Sequence, residues 1–468
     1  MAENSVQERN VFIPMDDKKR RGFIAVVLLM SASYLISAMG NSTTLPTKLN
    51  LIDGNDMYAI CNALQAMGLM LSLPLAGKLS DTFGRKPIAL IGMIGNMVLE
   101  FGLCFLNSQV AFVICYALVG VAGGFFLSMS YAMIADVCEP GERPKYYGLL
   151  TTLNAIGSLL GPVIAGQFVS RGMVGLGFLG FVPLRVIAII GILLIYPNKA
   201  ANLTRGKRFD FLGLVLMVAS VGCIVAWLSF GGTYFQRLGL AGILLLVGGI
   251  ILLTFMIRRE LRVDNPSVPI AIFRKKRFTV AFLCSILLGT FAFCLPAYGL
   301  IFAQYVMQQP ASVASTVSMP MTVIQAVVGF VLGGWLGKNF AKRVRIIGLV
   351  SAACLIIATG LMASLSAQSS IVLIYVASAV GGFTMAALPI TLTPFFQSEL
   401  QPTEIGAAQG MYSFAGTGGT CIFSTLAGIV TTATGSYNSV FMLECVMAIV
   451  AFVIMLIGLK MPKPAENP

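Results

Sequence analysis

Fourteen apolar runs dominate this chain, and each is long enough to cross a lipid bilayer as a helix. The hydrocarbon core of a bilayer requires about 20 consecutive apolar residues in a helix. The 468 residues are 57% hydrophobic and only 10% charged, which is far more apolar than a soluble globular protein. We therefore predict an all-α polytopic membrane protein. Its spans are expected at 22–44, 57–76, 88–106, 109–133, 147–169, 178–197, 209–230, 239–257, 278–305, 317–337, 345–366, 370–394, 405–430 and 438–460.

The positions of lysine and arginine predict the orientation of these spans. Placing the N-terminus, the even-numbered loops and the C-terminus on one side collects 27 of the 31 Lys and Arg residues there. Only Lys48, Arg171 and Arg237 fall on the other side, and Arg185 lies inside a span. Basic loops remain in the cytoplasm. Both termini are therefore predicted to be cytoplasmic, in a multi-pass protein of the cell membrane.

An internal repeat relates the first six spans to the last six. Six residues of loop 4 and span 5 recur 262 positions later, in loop 12 and span 13. They are Pro140, Glu142, Gly148, Gly157, Ala165 and Gly166, which correspond to Pro402, Glu404, Gly410, Gly419, Ala427 and Gly428. The predicted organisation is a cytoplasmic tail at 1–21, a six-helix half at 22–197, two inserted helices with flanking cytoplasmic loops at 198–277, a second six-helix half at 278–460 and a cytoplasmic tail at 461–468.

Two six-helix halves in the same orientation are an architecture of secondary transporters, which bind substrate near the membrane midplane between the halves. An enzyme is not expected, because the chain has no histidine, no nucleotide-binding glycine loop and no cluster of metal ligands. The ten cysteines form no Cys-x-x-Cys pair and are interpreted as small buried hydrophobes. The net charge of +13 is divided among short clusters between spans, so we expect no nucleic acid partner, no metal and no cofactor.

Two motifs give the chain a recognisable resemblance. Gly77-x-Leu79-x-Asp81-x-x-Gly84-Arg85-Lys86 resembles the motif between helices 2 and 3 of the major facilitator superfamily. In span 5, Gly157-x-x-x-Gly161-Pro162-x-x-Ala165-Gly166 resembles the motif of the drug:proton antiporters of that superfamily. With fourteen spans, the chain looks most like their fourteen-helix branch. The resemblance covers essentially the whole chain and implies the major facilitator fold, with two six-helix halves and two inserted helices.

The residues of the first motif predict a gate on the cytoplasmic side. Gly84 permits a tight turn between spans 2 and 3. Asp81 is expected to accept hydrogen bonds from the amides that begin a helix of the other half. Arg85 is expected to pair with Asp136 at the end of span 4. The alternative interpretation is that the charges of Asp81, Arg85, Lys86 and Asp136 are ordinary anchors at the membrane interface.

The span 5 motif predicts a close helix contact. Gly157, Gly161 and Gly166 remove side chains that would separate two helices. Pro162 removes a backbone donor and kinks its helix. The alternative is generic contact between small residues, which any helix bundle uses.

The resemblance fails at two positions where the antiporter branch carries charge. The helix 1 aspartate is expected at Ser37, and the helix 4 arginine is expected at Tyr116. Only Glu100, Arg185 and Glu444 are charged residues well inside spans, and charges at that depth are expensive and therefore candidates for function. We regard all three as coupling candidates. For Arg185 and Glu444, which are near the predicted outer surface, snorkelling toward the interface is the alternative.

Uncharged polar residues are the remaining candidates for a substrate cavity. They are Asn41, Asn154 and Gln325, and each could instead be an interhelical contact. The leading hypothesis is a proton-driven exporter of amphipathic organic compounds that works by alternating access as a monomer in the lipid bilayer. The alternative is uptake, proton-coupled or facilitative, of an organic anion such as a bile-acid-like or carboxylate metabolite, with Arg185 attracting the anion.

Overall fold

A computed structural model describes residues 15–196, 210–232, 234–263, 266, 268 and 270–459. Within these residues, fourteen helices are long and apolar enough to cross a membrane. In chain order they are α1 (Asp17–Leu51), α2 (Asn55–Phe83), α3 (Arg85–Phe105), α4 (Gln109–Val137), α5 (Arg143–Ser170), α6 (Val174–Ile195), α7 (Phe211–Phe230), α8 (Leu240–Glu260), α9 (Lys276–Val306), α10 (Ser312–Gly337), α11 (Phe340–Ala363), α12 (Ile371–Gln397), α13 (Ile405–Thr434) and α14 (Asn438–Gly458). The predicted all-helical architecture with fourteen spans is confirmed.

The first helix is longer at both ends than the apolar run on which its prediction rested. It begins at Asp17, so the basic cluster at 18–21 belongs to the helix. At the other end it continues through Pro46. The buried Lys48 ammonium there donates to the Cys104 carbonyl oxygen at 3.3 Å. Hydrogen bonds of this kind allow polar residues to extend a membrane helix beyond its apolar core.

The helices form two units with many internal contacts. The first comprises the described residues of Met1–Cys138, Ile156–Arg274 and Leu400–Thr417. The second comprises those of Glu139–Ala155, Lys275–Glu399 and Gly418–Pro468. These units follow the predicted halves except that the first parts of α5 and α13 are exchanged. The predicted segments 198–209 and 461–468 lie outside the described residues.

Backbone contacts at glycines explain both exchanges. In the second unit, a Cβ on Gly148 of α5 would lie 2.3 Å from the Gly329 carbonyl oxygen of α10. In the first unit, a Cβ on Gly410 of α13 would lie 2.4 Å from the Leu73 carbonyl oxygen of α2. Gly148 and Gly410 are one of the repeated pairs, so the same residue permits an equivalent close approach in each unit.

The inserted helices α7 and α8 contact mainly each other, and α7 also contacts α2. Asp210 begins α7 and accepts from the Gly213 amide at 3.0 Å and from both Nε and Nη2 of Arg259 on α8. Burial raises the pKa of Asp210, but these hydrogen bonds outweigh burial and hold that pKa below its usual range. The two inserted helices are thus joined to each other at the end where α7 begins.

Candidate functional site

Three helices of the first unit bring a carboxylate and a guanidinium together in the protein interior. Glu100 of α3 is 1% exposed, and Arg185 of α6 is fully buried. Arg185 Nη1 donates to Glu100 Oε2 at 2.5 Å. From α1, Ser37 Oγ donates to Glu100 Oε1, and Asn41 Nδ2 donates to the same oxygen at 3.2 Å. Three donors therefore converge on one carboxylate.

Helical spacing explains why these side chains meet. Ser37 and Asn41 are four residues apart, so both lie on one face of α1. Glu100 faces them from α3, and Arg185 reaches the same carboxylate from α6. Each helix supplies polar atoms that the bilayer could not solvate, and their mutual pairing satisfies most of them. Among the described residues, Arg185 Nε and Nη2 and Asn41 Oδ1 have no hydrogen-bond partner.

The structure unites two of the three coupling candidates. Glu100 and Arg185, which the sequence analysis proposed separately, form one ion pair. Snorkelling is wrong for Arg185, because its guanidinium turns inward to Glu100 and lies 5.7 Å from the Phe126 ring centroid. Glu444 is also fully buried and does not snorkel, but it lies in the second unit beside Thr290. The coupling role of all three remains a prediction.

The buried carboxylate lies beside the position where the antiporter branch carries its helix 1 aspartate. That position is Ser37, and the acid is supplied by α3 instead of α1. The expected helix 4 arginine is replaced by Tyr116, which is fully buried and whose hydroxyl has no partner in the part of the chain that the structure describes. The cation comes from α6. Acid and base are therefore both present, on helices other than the expected ones.

The loop motif forms a second network of buried charges within the first unit. Arg85 Nε donates to Asp136 Oδ2, and Arg85 Nη1 donates to Asp81 Oδ1 at 3.2 Å. The other oxygen of Asp81 accepts from the amide of Ala407 at 2.8 Å, in the first turn of α13. Tyr196 donates its hydroxyl to Asp136 at 3.0 Å. The two contacts expected of this motif are thus present, and its gating role remains a prediction.

The remaining members of this motif shape the turn and fix its neighbours. Gly84 separates α2 from α3 with φ +106°, a conformation that favours glycine. Lys86 Nζ donates to the carbonyl oxygens of Leu193 at 2.8 Å and Tyr196 at 2.9 Å, at the end of α6. A Cβ on Gly77 would lie 2.3 Å from the Gly406 carbonyl oxygen. Close backbone approach at Gly77 therefore brings Asp81 within reach of α13.

The span 5 motif contacts α1 through two of its three glycines. A Cβ added at Gly157 would lie 3.2 Å from Ile36 Cγ1, and a Cβ added at Gly161 would lie 2.5 Å from the Ile36 carbonyl oxygen. The prediction is wrong for Gly166, where a Cβ would meet nothing within 4 Å. Gly157, Gly161 and the fully buried Ala165 follow each other at intervals of four and share one face, whereas Gly166 is turned away from it. Pro162 lies inside α5 as expected.

The three cavity candidates have different environments. Asn41 is fully buried and belongs to the Glu100 site. Asn154 and Gln325 are half-buried and lie in the second unit. Their assignment to a substrate cavity remains a prediction.

Sequence reasoning missed one cluster of polar side chains in the second unit. Tyr147 donates its hydroxyl to Gln397 Oε1 at 2.7 Å, and Arg143 Nη1 lies 3.5 Å from the same oxygen. The repeat contained a signal for it, since Gln397 and Ser398 correspond to Ala135 and Asp136 at the offset of 262. The second unit thus uses an amide next to the position where the first unit uses a carboxylate.

Fourteen spans in two repeated six-helix halves with an inserted pair are an architecture found among membrane transporters. The family model described as the Major Facilitator Superfamily matches residues 23–423 and 281–468. The chain belongs to this superfamily, whose members are transporters of small molecules and not enzymes.

Relatives and a solved structure support the resemblance. "Multidrug resistance protein 3" of Bacillus subtilis is 25% identical over 415 residues, which cover 87% of this chain and 79% of the relative. "Multidrug transporter protein MdtP" of the same organism is 24% identical over 431 residues, with 90% and 77% covered. The crystal structure of the human organic anion transporter MFSD10 matches with a TM-score of 0.67 at 15% identity and covers 93% of this chain and 99% of that one. The structural match shows the fold alone.

Proposed function

We propose that the protein is a proton-driven exporter of amphipathic organic compounds that works by alternating access. One observation carries the proton coupling: the Glu100 carboxylate is fully buried, and three donors from α1 and α6 hold it. An intramembrane acid that faces other helices is a candidate proton site by default. In this proposal the protein is a monomer with both termini in the cytoplasm.

The three donors specify what a proton would do at this site. A carboxylate is an acceptor only, and Ser37, Asn41 and Arg185 all donate to it. A proton on Glu100 would neutralise the carboxylate and leave the Arg185 guanidinium without its counterion. The pair then loses its electrostatic attraction, so the contacts that join α1, α3 and α6 weaken. Proton binding thus favours one arrangement of these helices over another, which is what coupling requires.

The Asp81 network supplies the proposed gate. Its carboxylate accepts from the Ala407 amide, whose helix belongs to the second half by sequence. That hydrogen bond forms only when the predicted cytoplasmic ends of α2 and α13 touch, and it breaks when they separate. Arg85 and Asp136 keep the Asp81 side chain oriented toward α13.

The direction of transport and the type of cargo rest on the relatives, which are named for multidrug resistance and multidrug transport. The alternative of anion uptake depended on Arg185 as an uncompensated cation. While Glu100 is ionised it compensates that charge at 2.5 Å, so this arrangement offers an incoming anion no net positive charge there.

Inverted membrane vesicles test this proposal. Vesicles that contain the protein are acidified inside by respiration and offered ethidium, rhodamine 6G and a fluorescent bile acid. We expect accumulation of at least one cationic dye, which nigericin abolishes by collapsing the pH gradient. Uptake of the bile acid by intact cells, with no dye accumulation in inverted vesicles, would contradict export.

A further inference from the structure

Glu444 is a second buried carboxyl group, and its surroundings differ from those of Glu100. It lies in the second turn of α14 and is fully buried. Thr290 Oγ1 on α9 lies 3.0 Å from Glu444 Oε1, and the same hydroxyl donates to the Leu287 carbonyl oxygen at 2.6 Å. Glu444 Oε2 has no hydrogen-bond partner among the described residues. Glu444 therefore has one neighbouring hydroxyl, whereas Glu100 has three donors.

The number of hydrogens available for hydrogen bonding determines whether Glu444 is protonated. A threonine hydroxyl carries one hydrogen and two acceptor lone pairs. The Thr290 hydroxyl hydrogen is donated to the Leu287 carbonyl oxygen, which is the closer acceptor. A hydrogen bond between Thr290 Oγ1 and Glu444 Oε1 therefore requires a hydrogen on the Glu444 carboxyl group. We propose that Glu444 is protonated, donates to Thr290 Oγ1, and forms a proton-binding site in the second six-helix half that is separate from Glu100. In this arrangement Glu444 Oε1 and Thr290 Oγ1 are hydrogen-bonded to each other, and no uncompensated charge is buried in the bilayer.

The repeat shows which residues of the second half lie near the positions of the Glu100–Arg185 ion pair. At the offset of 262, Arg185 corresponds to Met447 and Glu100 to Met362, so Glu444 and Thr359 each lie three residues, about one helical turn, before these positions. Thr359 donates its hydroxyl to the Leu355 carbonyl oxygen of its own helix at 2.8 Å. Where the first half has an acid and a base, the second half thus has a hydroxyl and an acid about one helical turn away. An ionised Glu444 would have no cation at the equivalent position.

The charged groups on the neighbouring helices lie far from Glu444. Among the described residues, α14 packs most extensively against α9 and α11. On α9 the titratable group that faces Glu444 is the Cys294 thiol. The basic residues that begin α11 lie at the opposite end of α14, where Arg345 donates to the Leu456 carbonyl oxygen at 3.3 Å. Leu456 is twelve residues after Glu444 on α14, which corresponds to about 18 Å along the helix axis.

Infrared spectroscopy of the purified protein in lipid nanodiscs at neutral pH tests this proposal. A protonated carboxyl group has a C=O stretching band that a carboxylate lacks. We expect the difference spectrum between wild type and Glu444→Gln to contain this band, and the matched variant Glu100→Gln to retain it in full. In Thr290→Val, which keeps the acid but removes its acceptor, the band should persist and shift to higher frequency.

Carbodiimide labelling provides a second measurement that does not require a variant of Glu444. Dicyclohexylcarbodiimide is an apolar reagent that adds to protonated carboxyl groups. Peptide mass spectrometry of the labelled wild-type protein should find the modification on Glu444 and not on Glu100. Loss of a carboxylate band instead of a carboxyl band in Glu444→Gln, or an unshifted band in Thr290→Val, would overturn the proposal. None of these readouts depends on transport, so a failed test of the cargo would leave them unaffected.

Discussion

Removing the cation from the buried pair should destabilise the protein, and Arg185→Met is the variant that does so with little change in length. Two unit charges 2.5 Å apart attract by about 7 kcal/mol at an effective dielectric constant of about 20. Desolvation offsets much of this attraction, and loss of one partner of a buried pair typically costs about 3–5 kcal/mol.

Reversible unfolding by dodecyl sulfate in mixed micelles, followed by far-ultraviolet circular dichroism, measures this loss. The double variant Glu100→Gln/Arg185→Met removes both charges and should be several kcal/mol more stable than the sum of the two single losses predicts. The exposed Arg171 provides the control, since Arg171→Met should change stability by less than about 0.5 kcal/mol. Additive losses in the double variant would refute the ion-pair reasoning.

Three further predictions concern the two motifs. Gly161→Ala places a Cβ against backbone and should cost about 1–3 kcal/mol in the same unfolding assay, whereas Gly166→Ala should be neutral or stabilising. Gly84→Ala forces φ +106° on a residue with a side chain and should cost about 1–3 kcal/mol; an unchanged unfolding midpoint would contradict the role of this turn. Asp81→Asn keeps its size but weakens the acceptor for the Ala407 amide, so dye transport should slow while membrane expression, measured by immunoblot, stays near wild type. Loss of that variant from the membrane would indicate a structural role instead.

The fold was predictable because the bilayer imposes a simple rule on sequence. Each span needs an apolar run of nearly fixed length, so all fourteen helices could be counted without a structure. The ends of helices were less predictable. Polar residues such as Lys48 extend α1 by bonding to neighbouring backbone, and hydropathy does not detect such bonds.

The candidate site was predictable in composition but not in arrangement. Glu100 and Arg185 were identified because charges in spans are rare, yet their pairing depends on how α3 and α6 are rotated. Ser37 was interpreted as a missing charge, and only the structure places the α3 carboxylate against it. Gly166 matched the span 5 motif in sequence, but its position one residue beyond Ala165 turns it away from α1. Motif matching records residue identity, and helical rotation decides which neighbour each residue meets.

The central claim is that Glu100 carries the coupling proton, and Glu100→Gln separates coupling from cargo binding most directly. In inverted vesicles we compare two activities for a dye that wild type transports: accumulation driven by the pH gradient, and counterflow exchange without a gradient. The exposed Asp56 supplies the matched control, Asp56→Asn, which should retain both activities. We predict that Glu100→Gln loses gradient-driven accumulation and retains counterflow. Accumulation at the wild-type level in Glu100→Gln would contradict the account.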